Sequence, residues 1–64
     1  MTNKERQNLI ISIENTSALV ESFLGSAVVN SVFERYGAHS VEDLNPDDLP
    51  EVFSELYAIE ADIN

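Results

Sequence analysis

The 64-residue sequence has no cysteine and no tryptophan, and it contains only two glycines, two prolines and one histidine. Without cysteine, the chain has neither a disulfide nor a thiolate metal site to stabilise it. A chain of this length forms one domain, residues 1–64, whose core seldom supplies more than about 3–5 kcal/mol. Stability must therefore come from helix packing, from self-association or from a partner.

Basic residues are also scarce: Lys4, Arg6 and Arg35 face twelve acids, for a net charge of −9. Residues 33–64 carry nine of those acids against Arg35 alone, a net charge of −8. Nucleic-acid binding needs a basic surface, so direct binding to DNA or RNA is disfavoured, as is binding to anionic membranes. No apolar run is long enough to span a bilayer, and no signal peptide is apparent, so we expect a cytoplasmic protein with no membrane contact.

Apolar residues recur three and four positions apart along most of the chain, which is the spacing of one helix face. The pattern predicts an all-α fold, a compact three-helix bundle with an extra short helical turn before the last helix. The predicted helices are residues 3–24, 27–36 and 50–63, and the predicted turn is residues 41–44. The predicted core comprises Ile10, Ile13, Val20, Phe23, Leu24, Val29, Val32, Phe33, Leu44, Leu49, Val52, Phe53, Leu56 and Ile59.

Local signals set the expected helix boundaries. Gly25 and Gly37 are expected to end the first and second helices, because glycine adopts the terminating left-handed conformation easily. Ser26 is expected to cap the second helix. The short polar side chains of residues 15–17 compete for backbone hydrogen bonds, so a bend or break of the first helix there is left open.

Residues 45–57 carry the strongest helix-start signal in the chain. The side chain of Asn45 can accept a hydrogen bond from the first helical turn, and Pro46 suits the first helical position. Pro50 lacks an N–H and disfavours a helical conformation in the residue before it. We therefore predict a single turn at residues 46–49 followed by a separate helix from Pro50, with one continuous helix from Pro46 as the alternative.

The sequence offers no catalytic constellation. His39 is the only histidine, and no partner for it can be assigned, so neither a general base nor a metal ligand is indicated. The acidic residues around the start of the last helix lack the pattern of a calcium-binding loop. We predict a protein that is not an enzyme and has no cofactor and no metal.

A partner is expected to meet the acidic start of the last helix and the two tyrosines. Acids near a helix start are favoured by the helix dipole, and tyrosines at a core edge keep their hydroxyls in water. The candidate partner surface consists of Asp47, Asp48, Glu51, Glu55, Tyr36 and Tyr57.

Residues 36–44 and 48–62, together with residues 11–16, resemble small uncharacterised proteins encoded on conjugative transposons of Gram-positive anaerobic bacteria. The similarity covers most of the chain. It implies a bacterial cytoplasm and an accessory role in a mobile genetic element, and it implies no activity and no site residues.

Three functional hypotheses follow. The first is a small acidic helical module, non-catalytic, that binds an unidentified protein partner or regulates a mobile element. The alternative is a nucleic-acid mimic that inhibits a host DNA-binding enzyme through its acidic surface. A weak homo-oligomer is also considered, because a small bundle can leave Leu19, Val28 and Ile63 without full cover.

Overall fold

The first helix, α1, runs from Asn3 to Leu24 and spans the length of the molecule. The computed structural model describes residues 1–63 and confirms an all-α three-helix bundle, with no strand in that part of the chain. The other elements are α2 (Ser26–Arg35), two short 3-10 turns (Val41–Asp43 and Pro46–Asp48) and α3 (Leu49–Ile63). Among the described residues, no helix is both long enough and apolar enough to cross a membrane.

The start of α1 is held by Thr2. Its Oγ1 accepts a hydrogen bond from the backbone N–H of Glu5 at 3.1 Å and donates one to Glu5 Oε1 at 3.0 Å. This satisfies one of the free backbone donors of the first turn. The helix then continues without a break through residues 15–17. Thr16 and Ser17 are buried there, so packing holds the helix where local propensity alone is weak.

A single residue, Gly25, joins α1 to α2. Its φ of 89° and ψ of 164° lie in a region that is essentially restricted to glycine. Its N–H donates to the carbonyl of Glu21 at 2.9 Å, which ends α1. The prediction that Ser26 caps α2 is wrong: Ser26 is already the first helical residue, and α2 has no side-chain cap, because Gly25 takes the cap position.

Gly37 terminates α2 as predicted. Its φ is 73°, its N–H donates to the carbonyl of Glu34 at 3.0 Å, and the N–H of Ala38 donates to the carbonyl of Phe33 at 3.0 Å. This pair of bonds is the Schellman motif, which a left-handed glycine completes. Ala38 and Phe33 are both buried, which adds the apolar contact that often accompanies the motif.

The start of α3 largely agrees with the prediction from the sequence. Asn45 Oδ1 accepts from the N–H of Asp47 at 3.0 Å, and Pro46 opens a separate 3-10 turn, as predicted. The α-helix begins at Leu49, one residue earlier than expected. Leu49 is helical despite the proline that follows it, and its side chain is fully buried, so packing outweighs the local bias.

The core lies between α1, α2 and α3, with α1 packed most extensively against α3. Two core predictions are wrong: Phe23 is 62% exposed and Leu24 is 49% exposed. Every residue from 21 to 27 is exposed, because the bundle does not cover the end where α1 meets α2. Three other predicted core residues are only half-buried, namely Ile10, Phe53 and Ile59. The buried residues that the prediction omitted are Thr16, Ser17, Ala38 and Val41.

Candidate functional site

Two members of the predicted partner surface are tied to each other. Tyr36, at the end of α2, donates its hydroxyl hydrogen to Glu55 Oε2 on α3. The other carboxylate oxygen, Oε1, lies 2.7 Å from Arg35 Nη2. Both oxygens of Glu55 are therefore engaged, and the three side chains link the end of α2 to α3.

This arrangement raises the pKa of the Tyr36 hydroxyl to about 12. The main cause is the hydrogen bond to Glu55, which is lost when the hydroxyl ionises. Partial desolvation and the negative charges of Glu55 and Glu51 raise the pKa further, while Arg35 opposes them. Tyr36 is therefore a neutral hydrogen-bond donor over the whole physiological pH range.

The remaining acids of the predicted surface surround the start of α3. Asp47 and Glu51 are exposed and Asp48 is half-buried. Acids at this position are stabilised by the partial positive charge of a helix N-terminus. The side chain of Tyr36 is close enough to Glu51 for that charge to act on its hydroxyl. The structure thus brings Tyr36, Glu51 and Glu55 together.

Tyr57 belongs to a different side of the molecule. It is 58% exposed, and its ring lies 5.9 Å from the ring of Phe53 at an interplanar angle of 51°. Two helical residues correspond to a rotation of about 200°, so Tyr57 projects from the opposite flank of α3 to Glu55. The six predicted residues therefore do not form one continuous surface.

The sequence analysis expected incomplete cover for Leu19 but missed the exposed apolar stripe on α1 to which it belongs, here called the apolar edge. It consists of Ile11 (50% exposed), Leu19 (37%) and Phe23 (62%). Their spacing of eight and four residues places them within about 120° of one another on the helix. Ile11 offers the clearest sequence signal, because it lies two residues, or about 200°, from the buried Ile13.

A second feature of α1 is a groove of about 310 Å³, here called the acidic groove. One wall is a single face of α1, formed by residues at positions i, i+3, i+4 and i+7. The other wall comes from α2 and from the connector that follows it. The lining residues are Glu14, Ser17, Ala18 and Glu21 of α1, Asn30 and Phe33 of α2, His39 and Ser40 of the connector, and Val41 at the start of the first 3-10 turn.

Ser17 has an unsatisfied hydroxyl within this groove wall. The residue is only 8% exposed, and its Oγ has no hydrogen-bond partner within residues 1–63. Two other helical serines bond back to their own helix: Ser22 Oγ donates to the carbonyl of Leu19 at 2.7 Å, and Ser31 Oγ donates to that of Val28 at 2.8 Å. An orphaned buried hydroxyl is uncommon in a folded protein and calls for a reason.

His39 is exposed and lies at the groove, and its backbone N–H donates to Asp43 Oδ2 at 3.3 Å. In the described part of the chain, no three histidine or acidic side chains come together in the way that a metal site requires. Comparison of the chain with protein-family models, with curated proteins and with solved structures finds no match.

Proposed function

We propose that this protein is a small, non-catalytic interaction module that binds a basic protein partner through α1. The observation that carries the proposal is Phe23, a large aromatic side chain with 62% of its surface in water. Isolated exposed apolar residues are ordinary, but three along one stripe suit a protein interface. Aromatic anchors are also enriched among the residues that dominate binding energy.

The charge of the chain defines the kind of partner. A net charge of −9 on 64 residues favours a basic partner and opposes a second copy of the same chain. Charge complementarity would accelerate association, and the uncharged apolar contact would hold the complex once it formed. Residues 36–44 and 48–62 resemble transposon-encoded proteins. On that resemblance, we propose that the interaction serves an accessory role for a mobile element in the bacterial cytoplasm.

The nucleic-acid mimic is less well supported. A mimic needs a row of free carboxylates at something like phosphate spacing. On α3, Glu55 is engaged by Arg35 and Tyr36, and Ala58 interrupts the row that continues to Asp62. The available negative charge on this side is therefore discontinuous.

The test is affinity capture from the native host with the tagged parent and the Phe23→Ser variant. The matched control is Tyr57→Ser, because Tyr57 is an equally exposed aromatic on another helix. We expect the parent and the control to recover the same basic protein and Phe23→Ser to lose it. The proposal fails if the parent recovers no protein, or if Phe23→Ser retains the partner while showing an unchanged circular dichroism melt.

The same series separates the alternatives. A variant combining Asp47→Asn, Asp48→Asn, Glu51→Gln and Glu55→Gln would abolish binding if the protein were a mimic acting through α3. Sedimentation at several concentrations tests self-association. A dimer that disappears in Phe23→Ser would replace the basic partner by a second copy as the occupant of the apolar edge.

A further inference from the structure

A second cavity, here called the Arg6 cleft, lies between the first half of α1 and the two 3-10 turns. Its volume is about 290 Å³, and it is distinct from the acidic groove, with which it shares Val41. α1 packs directly against the first 3-10 turn, so the fold holds the two walls of the cleft together. The lining residues are Arg6 and Ile10 of α1, Val41, Glu42, Leu44 and Pro46 of the segment that contains the 3-10 turns, and Leu49 at the start of α3.

Most of this lining is aliphatic. Val41, Leu44 and Leu49 are buried members of the hydrophobic core, and Ile10 packs against that core while remaining half-buried. Pro46 adds a ring whose backbone nitrogen has no hydrogen to donate. Burying a hydrocarbon group against such a surface is favourable, because it removes apolar area from water. The floor of the cleft therefore suits a branched aliphatic side chain.

The two charged residues of the lining have opposite signs and belong to different elements. Arg6 lies one helical turn before Ile10 on the same face of α1, whereas Glu42 belongs to the first 3-10 turn. Both side chains are exposed, and within residues 1–63 neither makes an ion pair or a side-chain hydrogen bond. The cleft therefore presents one unpaired cation and one unpaired anion beside its aliphatic floor.

This pair of charges restricts the class of ligand. A simple carboxylate would be attracted by Arg6 but repelled by Glu42 and by the net charge of −9, and a simple amine would be repelled by Arg6. A molecule with one positive group, one negative group and no net charge satisfies both residues. The cavity volume of about 290 Å³ is at the lower limit of small-molecule pockets, so the ligand has the size of a single amino acid.

We propose that the Arg6 cleft binds a free amino acid with a branched aliphatic side chain, such as leucine. The α-carboxylate and the α-ammonium of such a ligand are both charged at neutral pH. The planar guanidinium of Arg6 donates two parallel hydrogen bonds to the carboxylate, and Glu42 accepts from the ammonium. The side chain of the ligand then lies on the aliphatic floor.

This site is separate from the surface used in the proposed function. None of the residues that line the Arg6 cleft belongs to the apolar edge. On α1, Arg6 is rotated by about 100–140° from each residue of that edge. A protein can therefore bind at the apolar edge while an amino acid occupies the cleft, and Phe23→Ser is expected to retain leucine binding. Loss of the captured partner without loss of leucine binding would remove the proposed function alone, and the reverse result would remove this proposal alone.

The experiment is a titration of the 15N-labelled full chain with L-leucine, followed by backbone amide chemical shifts. We expect saturable shifts at Ile10, Val41, Leu44 and Leu49. Three matched probes each remove one feature: L-leucinamide lacks the carboxylate, N-acetyl-L-leucine lacks the positive charge, and glycine lacks the side chain. Each is expected to bind at least about tenfold more weakly, because it loses a charge-assisted hydrogen bond or the apolar contact. The absence of a saturable shift with leucine, or equal binding of any of the three probes, would overturn the proposal.

Reciprocal variants assign the two charges. Arg6→Gln is expected to weaken leucine binding by about tenfold and to abolish the preference for leucine over leucinamide. Glu42→Gln is expected to abolish the preference for leucine over N-acetyl-leucine. An unchanged preference in either variant would reject the site.

The matched controls change charges outside the cleft. Lys4→Gln removes the neighbouring exposed cation of α1, and Glu34→Gln removes an exposed acid of α2. Both are expected to leave leucine binding unchanged. All four variants alter exposed side chains, so we expect the fold to be retained, and a circular dichroism melt checks this. Weakening by the controls that equals the effect of Arg6→Gln would indicate a general effect of net charge and would also reject the site.

Discussion

The last two turns of α1 and the middle of α3 contain similar apolar residues, but these residues are exposed on α1 and buried on α3. On α3, Val52 and Leu56 are completely buried. On α1, Phe23 and Leu24 are largely exposed although they continue the helical spacing from the buried Val20. The difference lies in the packing: α3 packs along α1, whereas no element within residues 1–63 covers the end where α1 meets α2. Val52 and Leu56 on α3 therefore stabilise the fold, whereas Phe23 and Leu24 on α1 remain in contact with water.

The strongest test of this comparison is to truncate one apolar side chain on α3 and one on α1. Leu56→Ala removes a fully buried side chain, and such changes cost about 2–5 kcal/mol, which approaches the whole stability of a domain this small. Phe23→Ala is expected to change stability by no more than about 0.5 kcal/mol, because most of the ring is already in water. Urea unfolding followed by circular dichroism measures both. A large loss in Phe23→Ala would mean that the ring is covered in solution, and sedimentation would then identify self-association.

The second prediction concerns the joint that creates the uncovered end. Gly25→Ala is expected to destabilise the protein by about 1–3 kcal/mol, since an alanine is strained at its φ of 89° and ψ of 164°. An added Cβ meets no atom within 4 Å there, so the strain is entirely in the backbone. Gly37→Ala, at a left-handed position of φ 73°, is the comparison and is expected to lose about 1–2 kcal/mol. Thermal unfolding of both variants tests whether Gly25→Ala loses more stability than Gly37→Ala. An unchanged Tm in Gly25→Ala would show that the backbone at residue 25 adopts another conformation without cost.

The third prediction uses the orphaned hydroxyl of α1. Ser17→Ala is expected to raise the free energy of unfolding by about 1 kcal/mol, because it removes a buried polar group that has no partner. Ser22→Ala is the control: its hydroxyl is exposed and already bonded to the carbonyl of Leu19, so only the small gain in helix propensity applies. Denaturant unfolding of the two variants isolates the buried-hydroxyl effect. Destabilisation by Ser17→Ala would indicate that the hydroxyl is satisfied in solution.

The smallest expected effect concerns the link between α2 and α3. The pKa of Tyr36 is raised to about 12 in the folded protein from an ordinary value near 10, so the neutral hydroxyl stabilises the fold. That contribution is complete below about pH 10 and is lost as the pH rises towards about 12. We expect the stability difference between the parent and Tyr36→Phe to shrink over this range. Both proteins carry Tyr57→Phe, so that Tyr36 is the only tyrosine that titrates; a difference that is constant from pH 9 to pH 12 would contradict the hydrogen bond to Glu55.

The helices were predictable because their signals are local. The apolar period, Gly25, Gly37 and Pro50 located the boundaries of all three helices to within one residue. The burial of each apolar residue on α1 was not predictable, because it depends on how far α2 and α3 extend along that helix. Periodicity therefore assigned Phe23 and Leu24 to the core, and it omitted Thr16 and Ser17, whose short polar side chains are buried by their neighbours.

The candidate surfaces were harder to predict for a related reason. The sequence identified Tyr36 and Glu55 individually, but only the packing of α2 against α3 shows that they bond to each other and to Arg35. The acidic groove draws residues from α1, α2 and the connector, so no single stretch of sequence reveals it.

The single-residue joint at Gly25 also bears on why Phe23 stays exposed. Phe23 lies about 60° around α1 from the buried Val20, so it is on the same side of the helix, and its exposure reflects missing cover at this end of the bundle. A longer loop could fold back over the ring and bury it. With α2 beginning at the residue after Gly25, the joint has no chain long enough to do so. The aromatic ring at the end of α1 therefore stays in water because the connection beside it is too short to shield it.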